Sequence, residues 1–159
     1  MSSAPDITTI ETQERTLVLS KLDSETAFNI GLASLQYAKS QYPNRSVVVD
    51  ITTVAGATLF RSYSGEIQPD NEDWIKKKRN TVIRFEKSSL RFGGELQNRG
   101  KTLADKALDP SIYTNYGGGF PLRLQTAPGI TIAVLTVSGL ADHQDHDVAV
   151  NGLKKVLEI

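Results

Sequence analysis

The 159-residue chain contains no cysteine. A disulfide framework, a thiolate nucleophile and any zinc or iron–sulfur centre held by cysteine are thereby excluded. One methionine and two histidines leave few side chains able to ligate a haem iron, tyrosine being the remaining type. Net charge is lacking as well, because 18 Lys+Arg offset 18 Asp+Glu. A balanced chain has no long-range field drawing it to phosphate backbones or anionic lipid, so neither a nucleic acid nor a membrane is expected as partner. Long apolar runs are also missing. The longest, "ITIAVLTV", falls far short of the ~18 residues of a membrane span, and the N-terminus shows no basic start followed by an apolar stretch. These absences lead to the expectation of a cytoplasmic protein.

What is present suits a globular fold. Apolar residues make up 39% and charged ones 23%, enough for one core and one domain over residues 1–159, with residues 1–6 read as a flexible tail. "TLVLS" reads as a short strand. "LDSETAFNIGLASLQYAKSQYP" reads as a helix capped by Asp23 or Ser24, with Phe28, Leu32 and Leu35 at helical spacing and a proline stop. "SVVVDIT" and "ATLFRSY" flank "TVAG" as one hairpin, while "FPLRLQ" and "ITIAVLTVSG" flank "TAPG" as another. Between the hairpins lie an amphipathic helix capped by Asp70 and ending near Gly93 and Gly94, then a polar excursion with a short helix near "TLADKAL". A last amphipathic helix covers "DHQDHDVAVNGLKKVLEI". The predicted order is βαββαββα, an α/β (α+β) fold with a mainly antiparallel five-stranded sheet whose two faces helices can cover.

The amphipathic segment "DNEDWIKKKRNTVIRF" carries the sharpest signal. Wound at about 100° per residue, it gathers Trp74, Ile75, Val82, Ile83 and Phe85 on one half and Lys76, Lys77, Arg84 and Lys87 on the other. Lys78 and Arg79 fall among the apolar residues. Either their stems cross the core and their charges reach its edge, or one of them points into a cleft to meet an anionic ligand. The basic face lacks the interleaved exposed aromatics of a nucleic-acid surface. In "YGGGFP", Gly117, Gly118 and Gly119 permit close backbone approach to a ligand, to a neighbouring subunit or to the strand itself. "SGLADHQDHD" brings Ser138, His143 and His146 too close in sequence for a Ser-His-Asp triad, and no G-x-S-x-G elbow is present. His143 and His146 share a helical face, yet acids at a helix start serve the dipole in any protein, so no metal is assigned.

Taken together, "LFR", "DNEDWIKKKRNTVIRF" with "SS", "YGGGFPLRL", "LTVSGL" and "DH" resemble the haem-degrading-domain family, the GlcG- and HbpS-like clan, in its "DN-x-x-W-I" branch. The resemblance runs from about Ala27 to Leu157. It implies a profilin-like three-layer α/β/α fold, a homo-oligomer and haem as a candidate cofactor, with no fixed reaction. It also marks Ser138, Asp145 and His146 as site positions. With the residues above, the candidate ligand-binding set is Trp74, Lys78, Arg79, Arg84, Ser88, Ser89, Gly117, Gly118, Gly119, Ser138, Asp145 and His146. Two functions stay open: a small-ligand binder, the ligand anionic or a tetrapyrrole, or a non-catalytic oligomeric scaffold acting through a protein partner.

Overall fold

The computed structural model describes residues 4–159. The chain opens with a helix that the hydrophobic pattern does not announce, α1 (Ile7–Thr16). Asp6 sets its start, the carboxylate accepting from Thr9 N at 2.8 Å. Asp6 is therefore an N-cap and not part of a loose tail; residues 1–3 of that expected tail lie outside the described residues. In α2 (Ser24–Gln41) Asp23 is the cap, accepting from Thr26 N at 2.8 Å. The helix is rotated relative to the expected stripe. Phe28 and Leu32 are 54% and 40% exposed, while Ala27, Ile30, Gly31, Ser34, Leu35 and Ala38 are buried. The small residues win this contest because they let neighbours come close. A Cβ on Gly31 would lie 2.4 Å from the Phe60 ring, and one on Gly152 would lie 1.9 Å from Ser34 Oγ.

The two expected hairpins form β1 (Val48–Thr53) with β2 (Thr58–Tyr63), and β3 (Gly119–Leu122) with β4 (Ala133–Ser138). The sheet order is β2-β1-β4-β3 and every pairing is antiparallel. It has four strands, not five. "TLVLS" contributes a single parallel bridge, Leu19 to Leu124, held by Leu19 N to Arg123 O and Gln125 N to Leu19 O, both 2.8 Å. Thr16 belongs to α1 and Asp23 already caps α2, so too few residues remain between them for a ladder.

Between the hairpins the expected single helix is two, α3 (Asp70–Phe85) and α4 (Ser89–Asn98), parted by Glu86 in the left-handed region at φ 54°. Asp70 is the first helical residue, not the cap, which is Pro69; its carboxylate accepts from Trp74 Nε1 at 3.2 Å. Gly93 and Gly94 lie inside α4 rather than at a helix end. They serve close approach: a Cβ on Gly93 would meet Asn115 O at 2.0 Å, and one on Gly94 would meet Ile7 Cδ1 at 2.7 Å. The excursion that follows holds one 3₁₀ turn, Ala104–Lys106, where a short helix is expected. α5 (Asp142–Leu157) closes the chain.

Strand alternation divides the sheet into two unlike faces. Val49, Ile51, Phe120, Leu122, Leu135 and Val137 join Ile30, Val148, Leu153 and others in the main core under α2 and α5. On the other face, beneath α3, sit buried polar side chains: Asp50, Thr52, Thr136 and Ser138. A buried polar layer requires partners. α3 supplies them.

Candidate functional site

Lys78, two turns into α3, is 3% exposed. Its Nζ donates to Asp145 Oδ2 at 2.9 Å and to Val137 O at 3.0 Å. An ammonium has three hydrogens, so one remains. Asp145, in the first turn of α5, is 1% exposed and also accepts from Leu140 N at 3.0 Å through Oδ1. Burial pushes its carboxyl up to about 6, and the Lys78 ammonium and the backbone N–H groups of Leu140 and Gly139 draw it back.

Glycine makes this meeting possible. Gly139 turns the chain from β4 toward α5 at φ 138°, and a Cβ there would lie 2.3 Å from Ser46 O. Gly118, at φ 126°, slides past the ion pair so closely that a Cβ would lie 2.3 Å from Val137 O and 2.9 Å from Lys78 Nζ. The triple glycine thus packs behind the pair rather than opening toward solvent.

In front of the pair is a cavity of about 400 Å³. Lys78, Asp145, Asn71 and Ser138 line its inner part; Trp74, Tyr116, Gln68 and Asp142 complete it with Gly139 and Leu140. Ser138 Oγ donates to Asn71 Oδ1 at 3.0 Å. The Trp74 and Tyr116 rings are 5.6 Å apart and tilted by 53°.

Of the sequence-predicted residues, Trp74, Lys78, Ser138 and Asp145 meet at this cavity, with Gly118 behind them. Gly119 N donates to Ser89 Oγ at 2.9 Å, so these two fix the entry to β3. A Cβ on Gly117 would press on Leu90 and on Asp142 O, each at 2.7 Å. Arg79 lies elsewhere under α3, where it and Arg61 hold the fully buried Asp50 at 3.1 and 2.9 Å. Arg84 is exposed on α3, its guanidinium 5.0 Å above the Tyr113 ring and 5.4 Å above the Phe85 ring. Ser88 caps α4 by accepting from Arg91 N at 3.2 Å, and its own N–H donates to Glu14. His146 turns away into the core against Phe120, with Nε2 2.7 Å from Gln13 Oε1. Burial lowers its pKa to about 4. Among the described residues Nδ1 has no hydrogen-bond partner.

Sequence reasoning passes over Asn71, Tyr116 and Asp142. Asn71 had a usable signal: on the wheel it falls about 20° from Lys78, on the same inward side. Tyr116 and Asp142 had none, because only the fold brings the loop before β3 and the start of α5 to one place.

Comparison with known proteins agrees with this architecture. A family model described as "Haem degrading protein HbpS-like" matches residues 22–154. A UPF0303 protein of Paraburkholderia phytofirmans is 41% identical over 154 residues, covering 96% of this chain and 90% of that one. The crystal structure of the Ybr137w protein superposes with a TM-score of 0.90 at 29% identity, covering 98% of this chain and 90% of that one. A PduOC–haem complex shares the fold at TM-score 0.67 and 22% identity, covering 83% and 92%. With its motifs in order and the match running across most of its length, the chain belongs to the HbpS-like haem-degrading family.

Proposed function

We propose that the protein binds a small polar ligand in the cavity floored by Lys78. One observation carries this reading: an almost fully buried ammonium, already holding two acceptors, keeps a third hydrogen beside a cavity with an aromatic wall. Small-molecule sites combine such a concavity with a few placed polar groups. A haem-bound protein among those sharing the fold adds support for ligand binding as such. The cavity itself does not fit haem. Among the described residues neither histidine lines it, Tyr116 is the one lining side chain of a haem-ligating type, and no arginine lines it to hold a tyrosinate. The single lining cation, Lys78, is already paired, leaving little to meet two propionates.

Ligand occupancy is tested by native mass spectrometry of the gently purified protein, together with a fluorescence screen reporting on Trp74, the chain's one tryptophan. The expected result is a small co-purifying mass, or a compound that alters Trp74 emission, with either response lost in the Lys78→Met/Asp145→Asn double variant. A bare native mass together with a silent screen would refute the proposal.

A second reading, an oligomeric scaffold, has its own support. Phe28, 54% exposed, lies 6.0 Å from Phe60 on β2, the edge strand, with the exposed Leu32 on the same helix. Exposed apolar groups at a sheet edge favour protein contacts.

A further inference from the structure

The two ends of the cavity differ in chemistry, and resting on the ligand-binding reading above, we infer that its ligand is a zwitterion, with a carboxylate at the floor and an ammonium group at the mouth. At the floor there are donors in want of an acceptor. Lys78 has its third hydrogen, and Asn71, 8% exposed, spends Oδ1 on Ser138 while, among the described residues, its Nδ2 has no acceptor. Asp145 takes two of the floor's bonds itself, from Lys78 and Leu140 N, so the ligand group that completes the floor must accept rather than donate. A carboxylate fits both donors.

At the mouth the balance is reversed. Lys78 offsets Asp145, and Lys77, 4.6 Å over the Trp74 ring, offsets Asp73 at 3.2 Å. Asp142 and Asp70 remain. Among the described residues no lysine or arginine pairs with either; Asp70 accepts from Trp74 Nε1 at 3.2 Å, Asp142 accepts from His143 N at 2.8 Å, and the His143 ring stands 3.7 Å from Asp142. A simple anion entering here meets Asp142, a lining carboxylate that no lysine or arginine among the described residues neutralises. An ammonium group meets Asp142 and the tilted faces of Trp74 and Tyr116, an acid and two aromatics of the kind that hold organic cations.

The test uses the full-length protein at neutral pH, with Trp74 fluorescence and calorimetric titration. The zwitterions γ-aminobutyrate, δ-aminovalerate and ε-aminocaproate are compared with caproate and hexylamine, which carry one charge each. At least one zwitterion is expected to bind about tenfold or more tightly than both singly charged compounds, the scale of one well-placed charged contact. Asp142→Asn, which removes the charge and keeps an oxygen to accept from His143 N, is expected to abolish that advantage and to improve caproate binding. Caproate or hexylamine binding as tightly as every zwitterion would overturn the inference while leaving ligand binding intact. An Asp142→Asn variant with full zwitterion preference would overturn the assignment of the mouth. Absence of binding by all five compounds would also overturn it, and a co-purifying mass in the native spectrum would then still uphold the broader reading.

Discussion

Replacing Lys78 with methionine removes one charge from a pair whose members are 3% and 1% exposed. The shape of the stem is kept and Asp145 is left as a buried carboxylate without a cation. Breaking such a pair from one side costs about 3–5 kcal/mol. In a chain of this size each kcal/mol moves Tm by about 2–4 °C, so the loss at pH 8 is about 6–20 °C. The loss has a pH signature. Asp145 already titrates at about 6 in the folded protein against an ordinary 3.8, so folding holds its proton more tightly than the unfolded chain does. Its contribution to stability is therefore greatest at low pH and declines as pH rises from about 4 through 6. Without Lys78 the folded carboxyl climbs further. The variant's deficit then grows above pH 6 and shrinks toward pH 5, where Asp145 takes up a proton. Adding Asp145→Asn removes the charge and keeps an acceptor for Leu140 N, so the double variant regains most of the loss at pH 8. Urea unfolding followed by circular dichroism at pH 5 and pH 8 measures both effects. A deficit equal at the two pH values, or a double variant no better than Lys78→Met, would refute the buried-pair argument.

Arg79→Met leaves Asp50 with one of its two arginines and is expected to cost about 1–3 kcal/mol, against under about 0.5 kcal/mol for exposed Lys76→Ala; equal losses in urea unfolding would show that the inward face of α3 is misassigned. His146, lowered from 6.5 to about 4 by burial, makes the folded state resist a proton that the unfolded chain accepts. Stability from this residue is full above pH 6.5 and falls by about 3 kcal/mol as pH drops to 4, opposite in sign to Asp145, and His146→Leu should abolish that slope in a pH series of thermal melts. The exposed Phe28 and Leu32 beside edge strand β2 lead to an oligomer in solution: light scattering should give a mass above 17.4 kDa, reduced by Phe28→Glu/Leu32→Glu, and a 17.4 kDa particle at micromolar concentration would count against it.

Both hairpins were legible because their signals are local. β-branched runs around "TVAG" and "TAPG" specify strands and turns within a few residues of one another. α1 was not, since "ITTIETQERT" carries little apolar periodicity: it buries one isoleucine, Ile10, beside Glu14, which accepts from Ser88 N at 3.0 Å and from Arg91 at 2.9 Å, partners more than 70 residues away. The phase of α2 failed for a related reason. Spacing favours the bulky Phe28 and Leu32, whereas packing selects the small face that α5 and Phe60 can approach, and that choice depends on residues over 25 positions distant.

The site shows the same division between local and distant information. Two basic residues on the inward side of α3 are out of place by local rules, and the sequence exposes them; the acid inside "SVVVDIT", Asp50, draws no notice until the fold buries it. The sequence does not say which answers which. Asp145 and Asp50 both need a cation, and Lys78 and Arg79, one residue apart and so about 100° apart on the helix, cannot both serve either one. The rotation of α3 over the sheet decides it, sending Lys78 to Asp145 and Arg79 to Asp50. The decision matters for binding because it pairs the charge of both inward cations before any ligand arrives. Arg79 is consumed in a layer away from the cavity, and Lys78 retains one hydrogen. A free anion therefore gains no unmatched positive charge here, and a ligand must supply its own cation for the acids at the mouth. That is why the same basic run that suggests an anion site in the sequence leads, once folded, to a site for a ligand bearing both charges.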